Sequence, residues 1–136
     1  MLFRSDLTSN PQFQSLLELP GVTFDDRAFE DLVPMLRAAR LVLSVDTALM
    51  HLAVAVGAPT VCLASAAYVD EIVPYDPAIT PPNARFVHHS VPCEGCLGNC
   101  ILAAENGMFP CVARLDEDQI LAAAHSMLAD PAEKGR

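Results

Sequence analysis

An α/β domain built on a parallel sheet is the fold class the sequence predicts, and three observations carry it. Leu41–Val45 and Thr60–Ala64 are short, apolar, β-branched runs with the profile of strands buried on both faces of a parallel sheet. Between them Thr47–Val56 favours helix until Gly57-Ala58-Pro59 stops it, so strand, helix and strand follow one another as a βαβ unit. The composition is globular, with 52% hydrophobic and 18% charged residues, and 136 residues leave room for one domain.

The remaining elements follow in order. Residues 1–20 give a short amphipathic piece around Phe13, Leu16, Leu17 and Leu19, ended by the turn signal Pro20-Gly21. Val22-Thr23-Phe24 reads as a brief strand. Asp25-Asp26 opens a helical pattern with Phe29, Leu32, Val33 and Leu36 at i, i+3, i+4 and i+7, inside which Pro34 predicts a kink or a late start. Five of the eleven prolines (Pro74, Pro77, Pro81, Pro82 and Pro92) fall in residues 70–92 and predict an irregular excursion interrupted by one strand, Ala84–Val87. A cysteine-rich loop spans 93–111. The last element is a helix from about Asp116 to Ala129, capped by Asp116-x-x-Gln119 and presenting Ile120, Leu121, Ala124, Met127 and Leu128 on one face.

Charge and composition exclude several partners. Eight Lys+Arg against seventeen Asp+Glu leave a net charge of -9, so no basic stripe is available to neutralise a nucleic-acid backbone. Lys134 is the single lysine, so phosphate would have to be held by backbone N–H groups or a few arginines. Leu52–Val69 is uncharged and approaches the roughly 20 residues of a membrane span. Gly57-Ala58-Pro59 breaks it into an Ala/Leu-rich half and a β-branched half, which predicts a buried helix, a turn and a buried strand instead, and no membrane span. The N-terminus MLFRSDLTSNPQ is mixed and polar, unlike a secretory signal, so the expected compartment is the cytoplasm, where clustered cysteines are metal ligands or redox groups more often than disulfides.

Asp46 and Thr47 stand where the first strand of the βαβ unit meets its helix. Ligands of open parallel sheets bind outside the carboxyl ends of the strands, where a starting helix turns unpaired N–H groups and its positive dipole end toward an anion. Either residue suits the helix cap, small Ala48 admits a phosphate or sugar to the backbone, and His51 shares a helix face with Thr47. On residue type and spacing alone, an ordinary N-cap and a packed core histidine are the better fit.

The run Ser44-Val45-Asp46-Thr47-Ala48-Leu49-Met50-His51-Leu52-Ala53, followed by Gly57-Ala58-Pro59-Thr60-Val61, resembles the donor-site motif of glycosyltransferase family 9, the heptosyltransferase family: S-x-D-T-x-x-x-H-L-A, then G-x-P-[TV]-V. Pro92-Cys93-x-x-Cys96 is similar to that family too, and the resemblance runs from about Arg27 to Leu128. It implies a partial Rossmann-like parallel sheet, with residues 1–136 as one incomplete C-terminal, donor-binding domain of the two-domain GT-B architecture. It also implies an inverting glycosyl transfer from a nucleotide sugar of the ADP-heptose type, with Asp46, Thr47, Ala48, Leu49 and His51 lining the donor site. Heptosyltransferases usually carry Gly where this chain has Ala48, which puts the heptose donor in question more than the fold. The family's acceptor domain, first donor strand and basic phosphate ligand have no counterpart in the sequence. No catalytic residue is therefore assigned, and the expected partner is a separate N-terminal acceptor-domain chain, with this chain a fragment, a split gene product or a degenerate copy.

Cys93-x-x-Cys96-x-x-x-Cys100, with Cys111 beyond, offers four thiolates from one loop beside Gly95 and Gly98. Such a set suits a structural Zn or single Fe, a [4Fe-4S] cluster fits the spacing less well, and free thiols or two disulfides are the alternatives. Four protein ligands leave no open position for substrate, so the metal would be structural. No organic cofactor is expected. Cys62 reads as a core residue, His88-His89 as surface or packing histidines, and Asp25, Asp26, Asp70, Glu71 and Asp76 as solvated acids. Tyr68 and Tyr75 border a ligand cleft at most, since two aromatics do not make a stacking platform. The reading from another class is a non-catalytic, metal-stabilised binding or assembly module.

Overall fold

The computed structural model describes residues 2–3, 11–25 and 27–129, which divide between two compact units, Met1–Leu32 and Val33–Arg136. In the first, β1 (Leu2–Phe3) pairs in parallel with β2 (Phe24–Asp25), and the amphipathic N-terminal piece is a 3-10 helix over Pro11–Glu18. Gly21, at φ 80°, makes the turn predicted at Pro20-Gly21, and the Val22 N–H donates to the Leu19 carbonyl at 3.2 Å. A second 3-10 helix, Phe29–Leu32, ends the unit with Leu32 buried but Phe29 exposed. Asp26, half of the expected helix start, lies outside the described residues.

The second unit opens with α1 (Val33–Ala38), the late helix start that Pro34 predicted, with the proline in the first turn where no N–H is needed. Then follow β3 (Val42–Val45), α2 (Ala48–Ala55), β4 (Thr60–Leu63), β5 (Ala84–Val87), α3 (Pro110–Ala113) and α4 (Glu117–Ala129). The three strands form one parallel sheet in the order β3-β4-β5, with Val45 level with Leu63 and Leu63 level with Val87.

Because side chains alternate along a strand, the two faces of this sheet bury different helices. Cys62, Ala64 and Ala84 pack with Met50 and Val54 of α2, joined by Tyr75 and Phe86. Val61 and Val87 pack with Met127 of α4, with Leu41, Leu63 and Ile120 beside them. Helices on both faces of a parallel sheet satisfy the α/β prediction, and β4, with Thr60, Val61 and Cys62 buried and Leu63 half-buried, is the central strand that Thr60–Ala64 promised. β3 departs from expectation. It is an edge strand of this sheet, paired only with β4, and Leu43 and Val45 are 54% and 50% exposed. An apolar run has the same profile whether or not a neighbour covers its second face, so periodicity alone does not separate these cases.

The end of α2 and the start of α4 are set by specific hydrogen bonds. Gly57 at φ 83° follows the α2 C-cap, with its N–H on Val54 O at 3.0 Å and the Ala58 N–H on Ala53 O at 3.0 Å, a Schellman termination. Asn83, which is buried, adds a second donor at this end, from Nδ2 to Val54 O at 3.1 Å and to Ala58 O at 2.9 Å, which also accepts from Thr60 Oγ1 at 2.9 Å. Asp116 caps α4 as predicted, accepting at Oδ1 from the Asp118 and Gln119 N–H groups. The reciprocal half of the capping box differs, since the Gln119 amide donates to the Asp116 carboxylate instead. Leu121, expected on the packed face of α4, is 55% exposed; Ile120 and Ala123 take its place against the sheet.

Asn83→Ala removes two buried hydrogen bonds and leaves each carbonyl its other donor, the Gly57 N–H on Val54 O and the Thr60 hydroxyl on Ala58 O. Chemical denaturation should show a loss of about 1–3 kcal/mol, and a loss within ~0.5 kcal/mol would show that water replaces the amide.

Candidate functional site

The level ends of β3 and β4 bring two turns together at the carboxyl edge of the sheet. Asp46 leaves β3 and Ser65 follows β4, and the Ser65 N–H donates to Asp46 Oδ2 at 3.3 Å. Ser65 Oγ accepts from the Ala67 N–H at 3.2 Å, capping the 3-10 turn Ala66–Tyr68. Asp46 is half-buried. Burial pushes its carboxyl above the ordinary 3.8, against the pull of its own backbone N–H, the Ser65 N–H and nearby His51.

Thr47 is the N-cap residue of α2 in extended conformation, φ -131° and ψ 167°, but its side chain does not cap. The hydroxyl turns back to donate to Val45 O at 3.4 Å. Asp46, the other expected cap, is engaged by Ser65. The Met50 and His51 N–H groups reach Thr47 O at 2.9 and 3.3 Å, while those of Ala48 and Leu49 meet no acceptor among the described residues. Ala48 is exposed, so two backbone donors and the positive end of the helix face outward beside Asp46.

His51, one turn in, is half-buried, and its Nδ1 lies 2.6 Å from the Tyr75 hydroxyl. The two rings stack with centroids 5.7 Å apart and an interplanar angle of 21°, and Tyr75 meets Phe86 edge-on at 4.9 Å. The five residues singled out for a donor site thus all belong to one strand-to-helix junction. Ser65 escaped the sequence reading but was findable, because it follows β4 as Asp46 follows β3. Tyr75 was read only as bordering a cleft, because 24 positions that include the rest of α2 and β4 separate it from His51.

The cysteine loop reaches the same turn. Gly95 N–H donates to Ala66 O and Leu97 N–H to Ala67 O, each at 2.9 Å, and Cys111 Sγ lies 3.6 Å from Ser65 Oγ. Cys93 and Cys100 bring their sulfurs to 3.8 Å, and desolvation, reinforced by the Cys100 thiol, raises the Cys93 pKa. Cys111 is buried instead among Ala66, Val69 and Val91. Among the described residues no three His, Cys, Asp or Glu side chains stand close enough to hold a metal ion. An ion pair between Arg114 and Glu105, with Nε to Oε1 at 3.1 Å, closes the far side of the loop. A cavity of about 230 Å³ lined by Ala104, Gly107, Met108, Phe109 and Val112 opens there and includes none of the strand-end residues.

The profile of glycosyltransferase family 9 (heptosyltransferase) matches residues 27–89. That stretch is similar to the family 9 glycosyltransferases. It holds β3, α2, β4 and β5 with Asp46, Thr47, Ala48, Leu49, His51, Ser65 and Tyr75, and it ends before Cys93, short of the span to Leu128 over which the resemblance was drawn. No curated protein and no solved structure matches the chain. Among the described residues, no helix is long and apolar enough to cross a membrane.

Two predictions follow from the burial of the matched segment's acid and core thiol. A carboxyl whose folded pKa is raised leaves the fold unpenalised at low pH and penalises it increasingly as pH rises through the folded value. Asp46→Asn keeps an acceptor for Ser65 and removes the charge, so thermal denaturation should show a higher midpoint than wild type at pH 7, the gain vanishing below about pH 4. An equal midpoint at pH 7 would refute the burial penalty. Cys62 has its thiol pushed up to about 12 by burial and then by the Asp46 charge, so iodoacetamide at pH 8 should leave it unmodified in the native chain, as peptide mapping would show.

Proposed function

We propose that the chain is the nucleotide-sugar-binding part of an inverting glycosyltransferase, a C-terminal GT-B domain in which Asp46, Thr47, Ala48, Leu49 and His51 line the donor site. The observation that carries this is the start of α2: the Ala48 and Leu49 N–H groups have no acceptor among the described residues, and they lie inside the segment that the family 9 profile matches. A helix start with free donors and no side-chain cap is built for an anion, here the donor diphosphate. With the chain carrying so few cations, backbone donors are the appropriate means. Asp46, itself an anion, does not suit phosphate and serves instead as an acceptor for sugar or ribose hydroxyls. Ala48 takes helical conformation without a positive φ, so Gly is not required there by the backbone, and a donor related to ADP-heptose remains compatible.

In an inverting displacement a base deprotonates the acceptor hydroxyl, that oxygen bonds to the anomeric carbon, and the diphosphate leaves with the electron pair of its bond. The free N–H groups of α2 would stabilise that departing charge, with the base supplied by an acceptor domain on a separate chain or segment. For the cysteine loop we propose a structural Zn or Fe on Cys93, Cys96, Cys100 and Cys111. Zn–S bonds of about 2.3 Å set the sulfurs of a tetrahedral site about 3.8 Å apart, the separation of Cys93 and Cys100. Cys111 would have to leave Ser65 to join them.

Ala48→Pro tests the donor site by deleting one N–H. Proline suits the first helical position, and Thr47 already has the extended conformation that a following proline demands. Calorimetry should show ADP binding to the wild type and at least about tenfold weaker binding to the variant with an unchanged midpoint. No binding of ADP or ADP-sugars by the wild type, or equal affinity for both, would overturn the proposal. Elemental analysis of protein purified without added metal should give one Zn or Fe per chain, and a substoichiometric amount would remove the metal.

A further inference from the structure

We propose that Tyr75 is a positioning residue that holds His51 in its Nε2–H tautomer and so presents Nε2–H to the anionic part of the donor, an inference that rests on the donor-site function above. The hydroxyl and Nδ1 are 2.6 Å apart, and either could in principle carry the shared proton. Chemistry decides the direction. A phenol is a better donor than a neutral imidazole N–H, and an imidazole nitrogen is a better acceptor than a phenol oxygen. The reverse arrangement would send the Tyr75 proton to Met50 Sδ, a weak thioether acceptor at 4.0 Å. Burial raises the Tyr75 pKa, which keeps the hydroxyl protonated and able to donate.

Tyr75 is itself fixed from three sides. Its ring stacks on His51 and meets Phe86 edge-on, and its carbonyl accepts from Thr80 Oγ1 at 3.0 Å. With Nδ1 occupied, the imidazole proton resides on Nε2, which has no partner among the described residues. His51 shares a helix face with Thr47, and its own N–H bonds Thr47 O, so the ring belongs to the turn that carries the free Ala48 and Leu49 donors. Without the hydroxyl, a neutral His51 would divide its proton between both nitrogens, and part of the population would offer an acceptor to an anion.

Long-range ¹H–¹⁵N correlation spectra of wild type and Tyr75→Phe, beside ADP calorimetry on both, test this. Phenylalanine keeps both ring contacts and removes only the hydroxyl. The wild type should show an unprotonated, acceptor-type Nδ1 and a protonated Nε2. In Tyr75→Phe the two shifts should move toward a tautomer average, and ADP affinity should fall by about 3–10-fold, the range of one neutral hydrogen bond. A proton on Nδ1 in the wild type overturns the proposal without any variant being needed. ADP binding by the wild type with tautomer and affinity unchanged in Tyr75→Phe overturns the positioning role and leaves the donor site standing. A wild type that shows the Nε2–H tautomer but binds no ADP refutes the donor site, and with it the presentation of Nε2–H to a donor.

Discussion

Parallel pairing of β3 with β4, Val45 level with Leu63, is the constraint on which the site depends. Because the two strands run the same way and end together, the residues that leave them emerge side by side. Asp46 therefore meets the Ser65 N–H, and Ser65 in turn caps the 66–68 turn and touches Cys111. The cysteine loop hangs from the same turn through Ala66 and Ala67. A slip of one residue would send each side chain of β3 to the other face, and Asp46 would lose Ser65. The helix that returns the chain from β3 to β4 delivers His51 to the same edge, where the excursion after β4 supplies Tyr75.

The junction holds more polar tension than its core neighbours. Asp46 is a partly desolvated carboxylate whose charge also weighs on the buried Cys62 thiol, and it stands beside a helix start whose first N–H groups have no acceptor among the described residues. A fold selected only for stability would place Thr47 Oγ1 on those N–H groups, since N-caps contribute about 0.5–2 kcal/mol. Here the hydroxyl faces Val45 O instead. Unused capping and a penalised acid in one turn are what the proposed donor site would draw on. The contrast with α4 is instructive: there the Asp116 side chain accepts from the Asp118 and Gln119 N–H groups in the ordinary way.

Legibility divided along the same line as locality. Gly57 as the stop of α2, Pro34 as a late start, Asp116 as a cap and the βαβ order all depend on neighbouring residues, and the structure contains each of them. The family 9 motif was legible for the same reason, being a contiguous run around one turn, and the family match covers it. What failed depended on company from elsewhere in the chain. β3 was read as doubly covered although Leu43 and Val45 are exposed.

By itself the sequence determined the α/β class, the central strand, the strand-to-helix junction at Asp46–Thr47 and the family to which that junction is similar, because each is written in a short window by propensity, periodicity or capping. Only the tertiary structure decided that Thr47 leaves the helix start uncapped, that Ser65 holds Asp46, that Asn83 satisfies the end of α2 and that Tyr75 engages His51. Those pairings join residues 19 to 29 positions apart, apart from Thr47's own turn. The Asp46–Ser65 and His51–Tyr75 pairs come together at the carboxyl edge of the sheet and the Asn83 contacts at its amino edge, where strands and crossovers converge.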